Sequence, residues 1–281
     1  MSEANQKQKE FWSGKGGSYW VEKQKEMDVM LEPLGNAALS LISLEDTSNI
    51  LDIGCGCGST TIEIASNYPT AKVLGADISV PMIEQARRLA EKEGISNIEF
   101  KIIDIQEDDI DSNFFDIVFS RFGIMFFENP SRAFKKLYSS LKDNGNIGFV
   151  CWQSPSLNPW QSISMEITKK YVDLPSPPIR SPGPFAFQEQ EYVRSLLEDS
   201  GFKSVCIKDH QQEIVMFSGR KLEEAARDYL SINPVVKEML SNLDEGVYEQ
   251  VISELARAFE RFYSDKGLLF PSATWLVTAT K

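Results

Sequence analysis

The sequence predicts a doubly wound α/β fold built around a mostly parallel sheet of seven strands. Three observations carry the prediction. Short apolar segments alternate with amphipathic ones from residue 49 to residue 152. A glycine-rich turn, "LDIGCGCGST" (51–60), stands directly behind the first apolar segment. The alternation then stops, and a proline-rich insertion and a long helical stretch precede one last apolar segment.

Taken in order, residues 1–48 read as a helical arm or lid. Val21, Met27, Met30, Leu31 and Leu34 recur at roughly helical spacing, and Pro33 predicts a break. Ahead of them, "EFWSGKGGSYW" sets Trp12, Tyr19 and Trp20 among three glycines. That composition suits a segment closing over a ligand, and equally suits an arm packed on the core by its aromatics. "NILDIG" predicts the first strand, and "STTIEIASNY" a helix capped by Ser59 or Thr60. "AKVLGADI" is the second strand. "SVPMIEQARRLAEKEG" is a helix with Ser79 as cap, Pro81 in its first turn and Gly94 at its end. "IEFKIIDI" and "FFDIVFSRF" are the third and fourth strands. "NPSRAFKKLYSSLKDNG" is a helix closed by Asn144 and Gly145, and "NIGFVCW" the fifth strand.

Beyond residue 152, prolines flank a helical stretch, marking an insertion at about 153–186. "QEQEYVRSLLEDSGF" is a helix, and "KSVCIKDHQQEIVMF" one long strand or two. Residues 219–270 are helical almost throughout and form a cap inserted before a final strand, 271–281. The core domain is therefore residues 49–218, completed by that last strand.

Composition narrows the function classes. The 281 residues hold 17 Phe and 5 Trp, enough for a sizeable core. The net charge of −12 repels phosphate backbones and anionic membranes, so nucleic acid is a poor partner. The start lacks an apolar signal core and no stretch has the length of a membrane span, which predicts a cytoplasmic protein. Four cysteines without CxxC spacing and a single histidine, His210, offer no metal set and predict reduced thiols.

A glycine turn after a first parallel strand sits where doubly wound folds bind ligands. A triphosphate loop needs GxxxxGK, and no lysine is present. A dinucleotide loop needs GxGxxG; Gly54, Gly56 and Gly58 give GxGxG, with Ser59 at the third dinucleotide position. Asp77 ends the second strand about 20 residues on, where an acid accepts from ribose hydroxyls. That feature says nucleoside and no more.

The combination of "LDIGCGCG", "GADIS", "IIDI" and "FDIVFSRFGIMFFENP" resembles class I S-adenosylmethionine-dependent methyltransferases. The resemblance is specific over residues 49–152 and weaker over "GPFAF", "LLEDSGF" and "WLVTAT". It implies a Rossmann-like core and a set of roles. Gly54, Cys55 and Gly56 would line the methionine part of the cofactor, with Asp52 beside them. Asp77 would bind the ribose and Ile78 pack on adenine. Asp104 would accept from the adenine amine, with the Ile105 N–H donating. Ser120 and Arg121 would lie at the methionine end, and S-adenosylhomocysteine would be the product.

Phe122 and Phe126 belong to an apolar wall that could face the sulfonium, or to a buried strand end. Trp152, Asn158 and Trp160 follow the fifth strand, over the expected cleft. His210 is the one candidate general base, in a polar strand where a solvent-facing histidine is commoner. The expected activity is methyl transfer to a small apolar or aromatic acceptor under the cap. A protein or RNA acceptor, a non-catalytic nucleoside-binding protein of the same fold, and a nicotinamide oxidoreductase are the competing readings. The accepting atom (O, N or C) and the oligomeric state stay open.

Overall fold

The protein is described from a computed structural model, which covers residues 2–45, 48–174, 178–232 and 234–281. Residues 46–47, 175–177 and 233, inside the expected arm, insertion and cap, lie outside the described residues.

Three helices open the chain: α1 (Glu3–Ser13), α2 (Lys15–Glu22) and α3 (Gln24–Leu39). Pro33 lies inside α3 and does not end it. The proline removes the partner of the Val29 carbonyl, but Val29 is 51% exposed and water can replace that partner. On the other side Met30, Leu31, Leu34 and Ala38 are buried, and their packing outweighs the proline.

The core begins with β1 (Asn49–Ile53), α4 (Ser59–Asn67), β2 (Lys72–Asp77), α5 (Val80–Glu93), β3 (Ile98–Ile102) and β4 (Phe115–Arg121). It continues through α6 (Pro130–Ser140), β5 (Leu141–Trp152), α7 (Pro159–Thr168), α8 (Gln190–Asp199) and β6 (Lys203–Met216). The cap is α9 (Leu222–Tyr229), α10 (Pro234–Ser241) and α11 (Glu245–Phe259). The two-residue β7 (Tyr263–Ser264) and the long β8 (Gly267–Thr280) follow.

The sheet runs β3-β2-β1-β4-β5-β8-β6, with β7 paired to β8 alone. The first five strands are parallel, and β8 is antiparallel to both neighbours. Ile50, Leu51 and Ile53 of β1 are at most 2% exposed, as a central parallel strand covered on both faces requires. Each such side chain contributes about 1.5–3 kcal/mol of burial free energy. Strand order reverses between β1 and β4, which opens a crevice at their carboxyl ends.

Three boundaries differ from expectation. α6 stops at Ser140, because Leu141 already pairs with Phe115 in β4. The N-cap of α4 is Gly58, and Ser59 is its first residue. β8 starts at Gly267, four residues early, and carries Pro271 inside it. There β8 has passed the end of β5 and pairs only with β6, so a missing N–H costs no ladder bond on the open side.

Candidate cofactor and acceptor site

The turn behind β1 is pinned before any ligand enters. The Gly54 and Cys55 amides both donate to the Ala76 carbonyl, at 2.8 and 3.2 Å. Gly54, Gly56 and Gly58 all have positive φ. Gly54 is irreplaceable for a second reason: a Cβ there would stand 2.6 Å from Gly123 Cα, so the turn and the segment after β4 touch backbone to backbone.

Asp77 clamps this turn. Its carboxylate accepts from Gly56 N–H at 2.9 Å and from Ser79 N–H at 2.8 Å. Burial lifts its pKa to about 6 against the pull of these donors. A carboxylate has about four acceptor sites, so two remain for hydroxyl groups of a ligand. Asp52 lies behind the turn at 1% exposure. One of its oxygens accepts from Thr61 at 2.7 Å; the other, Oδ1, is the one buried side-chain polar atom among the described residues with no partner. Burial raises the Asp52 pKa to about 7, with Thr61 and Arg121 opposing and Asp77 assisting. An orphaned carboxylate oxygen wants a cationic donor, and the ammonium of an amino-acid moiety is one.

Asp104, beyond β3, accepts from the Gln106 amide at 3.0 Å and from the Asn5 side chain at 2.6 Å. Gln106 in turn donates to Asn5 Oδ1 at 2.6 Å. Thus α1 reaches across and rests on the end of β3. The lid is seated again where α2 meets α5. The Ser79 hydroxyl donates to the Trp12 carbonyl at 2.6 Å, and a Cβ on Gly17 would fall 2.5 Å from that hydroxyl. A third tie links α3 to the turn: Asp28 accepts from Ser59 Oγ at 2.5 Å and from Arg121 Nη2 at 2.8 Å.

These groups border one cavity of about 540 Å³, a size common among small-molecule sites. Its lining includes Asn5, Asp77, Ile78, Asp104 and Ile105, the turn residues Asp52, Gly54, Cys55 and Gly56, and Arg121. An aromatic part of the wall is made by Tyr19, Trp20, Phe122, Phe126, Trp152 and Trp160. Phe122 stacks on Trp152 with centroids 4.5 Å apart and holds a φ of +59°, uncommon for a bulky residue. Trp12 meets Phe126 edge-on at 4.9 Å. A second depression, of about 600 Å³, lies wide open by Arg132 and Lys135 and contains none of the expected site residues.

Residues 50–145, about a third of the chain, match the family model of the methyltransferase domain. By that match residues 50–145 are a methyltransferase domain. S-Adenosylmethionine is the cofactor of that family. Phosphoethanolamine N-methyltransferase 3 of Arabidopsis thaliana is 24% identical over 215 residues, 76% of this chain and 39% of the plant protein. The chain thus spans about two fifths of that relative's length. Malonyl-[acyl-carrier protein] O-methyltransferase of Acetivibrio thermocellus is 26% identical over 243 residues, 84% of this chain and 81% of the bacterial protein. Phosphoethanolamine N-methyltransferase 2 of Haemonchus contortus, solved in complex with S-adenosyl-L-methionine, superimposes with a TM-score of 0.55 at 19% identity. The match covers 89% of this chain and 52% of the nematode one.

The structure gathers most of the expected residues around the cavity and separates three. Ser120 does not line the cavity: its hydroxyl donates to the Ile53 carbonyl at 2.7 Å and accepts from Gly123 N–H, which ties the ends of β1 and β4. Asn158 is fully buried; its amide donates to the Gln153, Ser154 and Ala273 carbonyls, and its oxygen accepts from Trp160 and Ala273. It holds the insertion to β8 and faces no ligand. His210 lies on the edge strand β6, opposite Thr274 and beside Gln212, away from the cavity, so it is not a base for this site. Cys55 and Cys57 line the turn as thiols. Burial pushes both up, Cys57 to about 12, so neither is a thiolate nucleophile. No cluster of three His, Cys, Asp or Glu suited to a metal occurs among the described residues.

Asn5, Asp28, Thr61 and Gln106 were missed. Asp28 had a local signal, an acid set inside the apolar stripe of Met27, Met30 and Leu31. Asn5 and Gln106 had none, since their meeting joins residues 101 positions apart.

Proposed function

We propose that this chain transfers a methyl group from S-adenosylmethionine to a small, largely apolar acceptor enclosed between lid and cap. The observation that carries the reading is the single cavity joining three acids at successive strand ends to an aromatic chamber. S-Adenosylmethionine, when bound, supplies a methyl group already activated by its sulfonium. Asp77 and Asp104 would hold the ribose and the purine amine. Asp52 Oδ1 would take the ammonium, and Arg121 the carboxylate. The rings of Phe122, Phe126 and Trp20 suit the cationic centre and exclude water from it. Lid helices α1 to α3 contribute Asn5, Trp12, Tyr19, Trp20 and Asp28 to the cavity wall and cover part of the site, so alignment and desolvation of the acceptor would supply most of the rate.

The cavity volume of about 540 Å³ and the −12 charge support a small molecule over RNA. Among the described residues no helix is long and apolar enough to cross a membrane. Calorimetry with S-adenosylhomocysteine tests the first half of the reading; absence of binding at high micromolar ligand sinks it. Methyl-labelled S-adenosylmethionine, incubated with separated small-molecule and macromolecular fractions of a lysate, tests the second. Label confined to the macromolecules would reassign the acceptor.

A further inference from the structure

The aromatic part of the cavity, where Trp152 stacks on Phe122 and meets Trp160 at 5.0 Å, has an unusual balance of polar groups. The Tyr19 hydroxyl, the Trp152 indole N–H and the Gln161 amide all border it and have no hydrogen-bond partner among the described residues. None is sealed away, since Asp52 Oδ1 is the one buried side-chain polar atom without a partner among the described residues. By contrast the Trp160 indole N–H is already engaged, with Asn158 at 3.2 Å. Tyr19 stays a hydroxyl at any working pH: burial, then the nearby Glu26, Asp228 and Glu22, drive its pKa upward. Each of the three thus offers a free donor, and the Trp152 indole can do nothing else.

Charge is equally one-sided. Arg121 is the only basic side chain bordering the cavity among the described residues, and Asp28 holds it at 2.8 Å. An anionic acceptor would leave water for a site with no free cation and with acids around Tyr19, an arrangement that disfavours it strongly. A protonated amine would have to shed its proton before accepting a methyl group, and Asp28, the carboxylate that the lid helix α3 gives to the cavity, is committed to Arg121 and Ser59.

We infer that the acceptor is an uncharged, flat, apolar molecule bearing a hydrogen-bond-accepting oxygen, which Tyr19, Trp152 and Gln161 recognise. The rings of Phe122, Trp152 and Trp160 provide the planar walls, and the three donors fix which edge of the molecule turns toward the methyl group. This excludes the phosphate-bearing class of acceptor suggested by the names of the plant and nematode relatives.

The inference rests on the methyltransferase reading and is tested apart from it. Four naphthalenes of matched shape serve as probes of the protein saturated with S-adenosylhomocysteine: 2-acetonaphthone, naphthalene, 2-naphthoate and 2-naphthylmethylamine. Tryptophan quenching reports occupancy, because Trp20, Trp152 and Trp160 line the site. The ketone should bind at least tenfold more tightly than the anion and the cation. Tyr19→Phe and Gln161→Leu should each weaken the ketone about five- to tenfold, the size of one neutral hydrogen bond, and leave naphthalene unchanged. Melting temperature and S-adenosylhomocysteine affinity, measured on both variants, separate this effect from misfolding. Binding of the naphthoate or the amine as tight as that of the ketone overturns the inference. So does ketone affinity that ignores both substitutions, or failure of all four probes. Loss of S-adenosylhomocysteine binding by the unaltered protein would instead strike the methyltransferase reading.

Discussion

The side-chain amide of Asn5 donates to Asp104 Oδ2 at 2.6 Å, across 99 residues of sequence. The first helix of the lid therefore touches the very carboxylate proposed to read the purine. A hydrogen bond to a charged group contributes about 1.5–3 kcal/mol, enough to hold a short helix down. Asn5→Ala should raise hydrogen exchange across residues 3–13 about tenfold or more while the melting temperature barely moves. Unaltered exchange would mean that packing of Phe11 and Trp12 alone seats the helix.

Asp52 gives the site a pH signature. Its folded pKa of about 7 stands above the ordinary 3.8, so between about pH 4 and 7 the unfolded chain has released a proton that the folded state keeps. The strain of the buried carboxyl thus grows as pH rises through that window. Asp52→Asn should flatten the fall in stability between about pH 4 and pH 7. In the unaltered protein a ligand ammonium favours the carboxylate, so binding of S-adenosylhomocysteine at pH 6 should release a proton and tighten toward pH 8. Calorimetry in buffers of different ionisation heat reads the proton directly.

Asp77 serves both the turn and the ligand. Asp77→Ala would strand the Gly56 and Ser79 amides and remove the ribose acceptor, so affinity for S-adenosylhomocysteine should fall about a hundredfold. A fall of less than threefold in titration calorimetry would remove Asp77 from the proposed contacts.

Gly54→Ala tests the backbone contact with Gly123. Positive φ costs an L-residue about 1–2 kcal/mol, and overpacking adds about 1–3 kcal/mol. Denaturant unfolding should show a loss of about 2–5 kcal/mol, and a neutral result would mean the two segments can part freely.

His210 and Asn158 make an opposed pair. His210→Ala should leave methyl transfer unchanged within twofold. Asn158→Ala removes a buried amide that joins five backbone or side-chain partners, and should cost about 2–4 kcal/mol of stability in a denaturant titration. A His210 variant without activity would reopen the search for a base.

The parallel core was readable because β1, β2 and β4 each carry a short, mostly apolar run and α5 announces both its ends, with Ser79 accepting from Met82 and Gly94 in the left-handed region. Such signals are local. The end of α6 was not readable, since "LKDNG" becomes strand only through its neighbour Phe115. Pro33 misled for the same reason: the sheet beneath α3 decides, not the proline. At the site, the acids at the ends of β1, β2 and β3 follow from strand ends alone. Ser120 and Asn158 are polar residues near the expected cleft whose side chains turn to backbone, a choice made by the loops around them and invisible in one dimension.

The strand β8 lies between β5 and β6, so Asn146 finds its partner Thr280 only 134 residues later. During synthesis β1 to β5 emerge first, and the outer edge of β5 stays unpaired until the entire cap has been made. The nascent half-sheet must wait with an open, apolar margin, which predicts slow closure and a need for protection against edge-to-edge association on the ribosome.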